Sequence, residues 1–227
     1  MAFILRWLRN LLIFFFSSTL TAVVVFKYVP VYLTPLMVVR CCEQAAAGEP
    51  LTLKHRWVPL DSISHAAAQA VMASEDQLFL QHNGFDFKQI HQARIDALNG
   101  KRERGASTIS QQTAKNVFLW QGHSWLRKGL EAYFTVLIEA IWGKERIMEV
   151  YLNSIEMGRG IYGVEAVAQC HFETTARQLS RQQAALVAAS LPNPLKRDSA
   201  HPTQRMLKRS RQIMRDMDAV EQFKGGN

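Results

Sequence analysis

The sequence has little cysteine: three residues in 227, with Cys41 and Cys42 adjacent and Cys170 far downstream. An odd number without a C-x-x-C pair gives neither a disulfide framework nor a cysteine zinc site. Cys170, in an apolar context, is expected to be buried packing. The seven histidines show no metal-ligand spacing, so no metal site is expected among them. The G-x-S-x-G of a serine nucleophile is missing, as is the Gly-Lys-Ser/Thr ending of a nucleotide P-loop. No apolar–polar alternation runs beyond a few residues and no internal repeat is found. What remains is an all-α fold.

Charge is also missing over one stretch. From Asn10 to Phe26 seventeen residues carry none, and as a helix they span roughly 26 Å, enough for a bilayer hydrocarbon core. Lys27 can snorkel, and Tyr28–Val39 can extend the buried length. A cleaved signal peptide is the rival reading. The length of the segment, and the lack of a small-x-small cleavage site before Cys41, favour an uncleaved anchor. Arg6 and Arg9 place the N-terminus in the cytoplasm and the rest of the chain outside, with Lys27 the single countervailing charge. The net charge of +8 suits an anionic partner. Lipid headgroups or a lipid diphosphate fit an exported domain, whereas nucleic acid does not.

The chain divides into a cytoplasmic tail (1–9), an anchor (10–29), a linker and membrane-proximal segment (30–50), a catalytic domain (51–200) and a basic C-terminal helix (201–227). Glu43–Pro50, with its Ala-Ala-Ala-Gly, reads as a linker between anchor and domain, and Leu51–Pro59 reads as extended. Helices are predicted over His65–Leu80, after Asp61, Ser62 or Ser64 as N-cap, and from an Asp86 cap to Gly100, with Phe87, Ile90, Ala97 and Leu98 inward. Thr108-x-x-Gln111 and Ser180-x-x-Gln183 are capping boxes. A longer helix runs from about Ser124 to Trp142, its buried stripe Leu126, Leu130, Tyr133, Leu137 and Ile141. Ile147, Val150, Tyr151 and Ile155 mark the next. Gly158, Gly160 and Gly163 interrupt the pattern before Val164–His171, and Pro192 and Pro194 stop the helix that begins at Ser180.

The polar residues concentrate between Ala73 and Glu131. Glu75 sits at the end of an apolar helix, where burial and the negative end of the helix dipole should raise its pKa toward that of a general base. Paired surface acids are the plainer explanation of Glu75-Asp76, and His82 alone is more often structural. Gly105–Thr108 at a helix start suits an approaching anion, with Ser107, Thr108, Gln111 and Gln112 as neutral donors and Lys115 as a point charge. A well-capped surface helix explains the same residues about as well. Arg127, Lys128 and Glu131 share one helical face. As a surface ion pair they would contribute only ~0.3–0.5 kcal/mol. The cation-before-acid order and Gly129 make that use a poor one. Together the groups suit two-carboxylate sugar chemistry with a cationic clamp on a charged leaving group.

The clusters Glu75-Asp76-x-x-Phe79-x-x-His82-x-Gly84, Gly105-x-Ser107-Thr108-Ile109-x-Gln111-Gln112-x-x-Lys115-Asn116 and Arg127-Lys128-x-x-Glu131 resemble, in order, the signature motifs of the peptidoglycan glycosyltransferases. Lys144-Glu145-Arg146-Ile147 with Tyr151-Leu152-Asn153, and Ala184–Ala189 with Pro192-Asn193-Pro194, are similar to the fourth and fifth motifs. The chain resembles the monofunctional biosynthetic peptidoglycan transglycosylases of Gram-negative bacteria. The resemblance implies a lysozyme-like helical domain whose membrane-proximal jaw admits a lipid chain. It also implies polymerisation of lipid II into glycan strands, with inversion and release of undecaprenyl diphosphate, in cell-wall biogenesis. By motif position Glu75 is the general base. Glu131, Lys115 and Arg127 orient and neutralise the diphosphate, where a divalent cation (Mg or Mn) has a place although the sequence requires no cofactor. Ser107, Gln111, Gln112 and Asn116 position substrate. Asp76, Phe79, His82, Gly84, Thr108 and Lys128 join the candidate substrate-binding set, Lys128 and Asn153 being nearer to structural positions.

The partners implied are lipid II, the nascent strand, the inner membrane and division or elongation proteins, with no nucleic acid. The implied location is the inner membrane, single-pass, with the catalytic domain in the periplasm. His123 stands where the family commonly has an arginine near the diphosphate, and Cys170-His171 replaces a basic-Tyr pair. Two alternatives stay open: a lytic transglycosylase or muramidase, and a non-catalytic scaffold of a wall-synthesis complex.

Overall fold

The structure is a computed structural model that describes residues 2–100, 107–122 and 124–225. Gly105 and His123, named above, lie outside the described residues. The chain is mostly helical, with ten α-helices among the described residues. In order they are α1 (Ala2–Tyr28), α2 (Pro35–Ala46), α3 (His65–Glu75), α4 (Phe87–Leu98), α5 (Ile109–Phe118), α6 (Trp125–Ile141), α7 (Gly143–Ser154), α8 (Val164–Phe172), α9 (Arg181–Ser190) and α10 (Gln204–Ala219). Three short strands, β1 (Lys54–His55), β2 (Glu156–Gly158) and β3 (Ile161–Tyr162), form a sheet of order β1-β3-β2. β3 pairs parallel with β1 and antiparallel with β2. This small sheet, built around the Gly158–Gly163 interruption, is the one β addition to the expected all-α fold.

Caps written in the sequence set several helix starts. Both capping boxes are formed, Thr108 with Gln111 at α5 and Ser180 with Gln183 at α9. Asp86 accepts the Gln89 N–H at 2.9 Å to open α4, and Ser124 does the same for Arg127 of α6 at 3.2 Å. The core is centred on α9, whose alanines (Ala184, Ala185, Ala188 and Ala189) are buried among those of α3. Side chains this small let two helices approach closely. α10 packs on both. Gln69 of α3, buried, closes its far end by donating to Met217 O and Glu221 O, each at 3.2 Å, and accepting from Phe223 N at 3.1 Å.

α1 is long and apolar enough to cross a membrane, and its C-terminal half docks on the domain. Thr19 hydrogen-bonds the Tyr133 hydroxyl at 2.8 Å, and Phe15 and Phe16 pack on the Tyr133 ring. Trp142 donates to Val23 O at 2.7 Å. Arg146 donates to Phe26 O and to Val29 O, each at 2.7 Å. A guanidinium on the last carbonyls of a helix both satisfies them and meets the negative dipole end.

Residues 43–46, at the start of the linker, form the last turn of α2. Three expectations are corrected. The inward face of α4 is outward: Phe87 is 74% and Leu98 79% exposed, with Ile90 and Ala97 also exposed. Its apolar stripe has the right period, but among the described residues no other helix covers it, so period alone did not identify what it faces. On α6 the buried face is Arg127, Glu131, Phe134, Thr135 and Ile138, one position round from the predicted stripe. Leu126 is exposed, and Leu130, Tyr133, Leu137 and Ile141 are half-buried, with Tyr133 turned to α1. A helix with two apolar neighbours carries two stripes. Finally, Cys170 is exposed rather than buried.

Gly84 fixes how the turn before α4 meets α6. Its φ is +91°, and a Cβ there would lie 2.7 Å from Thr135 Cγ2. Gly84→Ala is therefore expected to lose about 2 kcal/mol, combining a left-handed backbone with a clash. Urea unfolding would show this as a lower midpoint at unchanged slope.

Candidate active site

Glu75 is the last residue of α3, with Asp76 as its C-cap, and the two neighbouring carboxylates have different environments. Asp76 is buried and structural. Its carboxylate accepts from His82 Nε2 at 3.0 Å and from the Ile109 N–H at 3.0 Å, the latter at the first residue of α5. His82 Nδ1 accepts from the Gly84 N–H at 3.1 Å, leaving the proton on Nε2 toward Asp76. Thr108 donates to Gly84 O at 2.6 Å, and its backbone N–H is taken by Gln111 Oε1. Phe79 is fully buried beneath Lys144, whose Nζ lies 4.6 Å from the ring centroid. Asp76, Phe79, His82, Gly84, Thr108 and Gln111 thus form the frame that joins the end of α3 to the start of α5. Their polar groups are spent on one another rather than turned to a ligand.

Glu75 is held instead by groups that leave it reactive. Its Oε2 accepts from Gln112 Nε2 at 3.2 Å and its Oε1 from Ser74 Oγ at 3.2 Å. The Tyr151 hydroxyl donates to Gln112 Oε1 at 3.2 Å, fixing the amide so that its NH2 faces Glu75. Tyr151 is itself buried; its pKa is raised well above the ordinary value by burial and by the charges of Glu75 and Asp76, so it remains a donor. Burial raises the pKa of Glu75, and this outweighs the Gln112 and Ser74 hydrogen bonds and the charges of Arg209 and Arg197. A carboxylate placed in this way can accept a proton from a hydroxyl near neutral pH.

Three residues along α5 from Gln112, and so close to the same helical face, Lys115 reaches the second cluster. Burial lowers its pKa, Glu131 opposes this, and Arg127 and Lys128 add to it. Arg127 Nη1 donates to Glu131 Oε2 at 2.7 Å, and Lys128 Nζ bonds Glu131 Oε1. Arg127 Nε is buried without a protein partner, and the Asn116 amide, also buried, makes no hydrogen bond among the described residues. Ser107 lies exposed at the mouth of α5. Three cations around one carboxylate leave an excess of positive charge and free donors, a fit for a phosphoryl anion.

Asn153 is part of the frame: it accepts from Val58 N and donates to Val58 O, each at 2.9 Å. Sequence reasoning missed three residues. Tyr151 sat on the apolar period of α7 and read as core. Arg209 lay in the segment read only as basic and Arg197 just before it, at the end of the 51–200 domain, and the fold brings their charges to bear on Glu75. A cation shortly after the Pro192–Pro194 turn was the one available signal.

A raised carboxylate beside a cationic clamp, on a helical frame, defines a glycosyl-transfer enzyme. The chain belongs to the Transglycosylase family, which matches residues 44–218. It is 60% identical over 220 residues to the biosynthetic peptidoglycan transglycosylase of Bacteroides thetaiotaomicron, covering 97% of this chain and 89% of that protein. It is 49% identical over 209 residues to that of Bdellovibrio bacteriovorus, covering 92% and 84% of the two chains. With that of Caulobacter vibrioides the identity is 49% over 222 residues, covering 96% and 94%.

Lengthening or removing the Gln112 contact should be visible as a pH effect. The hydrogen bond favours ionised Glu75, so its loss raises that pKa further. Gln112→Leu is expected to move the acid limb of the kcat/KM profile to higher pH, besides lowering the maximum.

Proposed function

We propose that this chain, a peptidoglycan glycosyltransferase of cell-wall synthesis, polymerises lipid II with inversion and releases undecaprenyl diphosphate. The observation that carries the reading is the pairing, along one helix, of a raised Glu75 held by Gln112 with the cationic cluster reached by Lys115. Glu75 takes the proton of the acceptor 4-hydroxyl as that oxygen bonds to the donor anomeric carbon. The bond from that carbon to the diphosphate breaks, and its electron pair leaves on the diphosphate oxygen. Lys115, Arg127 and Lys128 meet the charge that develops there. A lytic enzyme cutting the same polymer has no charged leaving group and no use for such a clamp.

Among the described residues no cluster of three or more His, Cys, Asp or Glu is placed to hold a metal ion. Both oxygens of Glu131 are already shared by cations. The donor set does not fit a protein-held Mg or Mn.

The reading includes an uncleaved anchor in the inner membrane, N-terminus in the cytoplasm and catalytic domain in the periplasm. Its support is the docking of α1 on α6 and α7, which would be lost on cleavage. Large apolar residues are exposed on α6, where Trp125 (92% exposed) and Leu126 directly precede Arg127 of the clamp, and on α4, at Phe87 and Leu98. They would sit at the bilayer, where a lipid-linked substrate can reach the clamp by sliding in the membrane plane.

Incubating the full chain in detergent with lipid II alone tests the proposal. Glycan polymer and released diphosphate lipid are the expected products. Cleavage of preformed wall without polymerisation would favour the lytic enzyme, and inactivity equal to that of Glu75→Gln would favour the scaffold.

A further inference from the structure

One charged cavity is used by neither the base nor the clamp. It measures about 390 Å³ and lies between the end of α9, the Pro192 turn and the first turns of α10, lined by Arg197, Arg205 and Arg209. Arg197 donates to Ala189 O at 3.1 Å and Arg209 to Ser74 O at 3.4 Å, both neutral backbone acceptors. Among the described residues none of the three guanidiniums forms an ion pair. Thr203, on the cavity wall, is the N-cap of α10, so the positive end of a sixteen-residue helix also faces it. Three guanidiniums that line one cavity without a direct ion pair, the Glu75 carboxylate being the one negative charge that Arg197 and Arg209 act on at longer range, can receive an oxyanion.

The cavity adjoins the base. Arg209 bonds the carbonyl of the residue before Glu75, and the charges of Arg197 and Arg209 are both felt at the Glu75 carboxylate. Its place also restricts the ligand. α10 packs on α3 and α9, whereas the membrane-type helix α1 packs on α6, and the diphosphate clamp is on α5 and α6. The diphosphate that leaves the donor is met by that clamp. The anion expected here therefore belongs to the acceptor rather than to the leaving group.

We propose that the Arg197–Arg205–Arg209 cavity is a subsite for a carboxylate-bearing arm of the acceptor sugar, the peptide stem of the unit that presents its 4-hydroxyl to Glu75. This rests on the polymerase reading. The subsite holds the stem while the hydroxyl meets the base, and it separates substrates by the charge of the stem rather than by the sugar.

The test is binding by calorimetry to the full chain in detergent, which needs no turnover. Three probes are used: a soluble disaccharide-peptide with free carboxylates, the same compound with its carboxylates amidated, and inorganic pyrophosphate. The acidic probe is expected to bind about five- to tenfold more tightly than the amidated one. Arg205→Glu, and the milder Arg205→Gln, should remove that difference and leave pyrophosphate binding as in the parent. Arg205 is exposed, and thermal melting would confirm that both variants fold. Equal binding of the acidic and amidated probes overturns the subsite, and so does loss of pyrophosphate binding in Arg205→Glu, which would make the cavity a diphosphate site. Lipid II turnover gives the second readout: KM for acceptor should rise in Arg205→Glu, and an unchanged KM counts against the subsite alone. Arg205-dependent binding in a chain that never polymerises lipid II would overturn the reaction and keep the carboxylate site.

Discussion

Glu75→Gln is expected to lower lipid II polymerisation about 10³-fold, the loss typical of a general base, without lowering thermal stability at neutral pH. The two halves of this expectation have one cause. Burial disfavours the ionised carboxylate in the folded chain, so the native state holds its proton to higher pH than the unfolded chain, whose Glu titrates near about 4.3. Between the unfolded value and the raised folded one, the native state binds more protons, and stability falls as pH rises. Above that window the penalty is fully present, and below it absent. Glutamine has no charge to desolvate and can still accept from Ser74, so the variant should melt at or above the parent temperature near pH 7.5. The advantage should disappear below about pH 4, where the parent Glu is itself neutral. Melting curves at the two pH values, beside a polymerisation assay, test both halves. A variant that retains half the activity would remove Glu75 from the chemistry. A variant that melts much lower would make it a structural residue.

Much of this site was legible because the frame and the chemistry use local signals. Thr108 and Gln111 announce a helix start by their spacing, and Asp86 another. Glu75 stands out as an acid at the end of an alanine-rich helix. What spacing could not give was which of several uses each polar residue serves. Asp76 and Glu75 are adjacent and chemically alike, yet Asp76 caps α5 while Glu75 stays available. The difference lies in residues more than thirty positions downstream. The same limit explains α6. Its leucines and its Arg127–Glu131 face are neighbours on one helix, and pattern reasoning turned the leucines inward. The fold buries the charged face, leaves Leu130 and Leu137 half-buried at the edge of the core, turns Tyr133 to α1 and exposes Leu126. α4 makes the complementary point, since its apolar period was real but no helix among the described residues covers it. The roles of Tyr151, Arg197 and Arg209 could not be read from spacing, because each acts on Glu75 through tertiary contacts, Tyr151 by way of Gln112.

The buried charge of α6 should also produce a large effect, with stability and activity separable. Glu131 is 3% exposed and Arg127 8%, joined at 2.7 Å, whereas Lys128 is half in solvent. Removing one member of a buried pair strands the other, at a cost of about 3 kcal/mol or more, while replacing both by apolar groups of similar volume is often close to neutral. Glu131→Gln is accordingly expected to lower stability by about 3 kcal/mol. It should also cost about 10²-fold in kcat/KM, as for a lost electrostatic contact in the transition state. It has a further signature. Glu131 is the charge that opposes the lowering of the Lys115 pKa, so without it Lys115 loses its proton at lower pH, and the alkaline limb of the profile should move down. The double variant Arg127→Met, Glu131→Leu should recover most of the stability and none of the activity. An apolar pair packs, but it cannot hold a diphosphate. If the double variant were as active as the parent, the clamp would be ordinary structure. If Glu131→Gln kept both its stability and its alkaline limb, the coupling of Lys115 to Glu131 would be wrong.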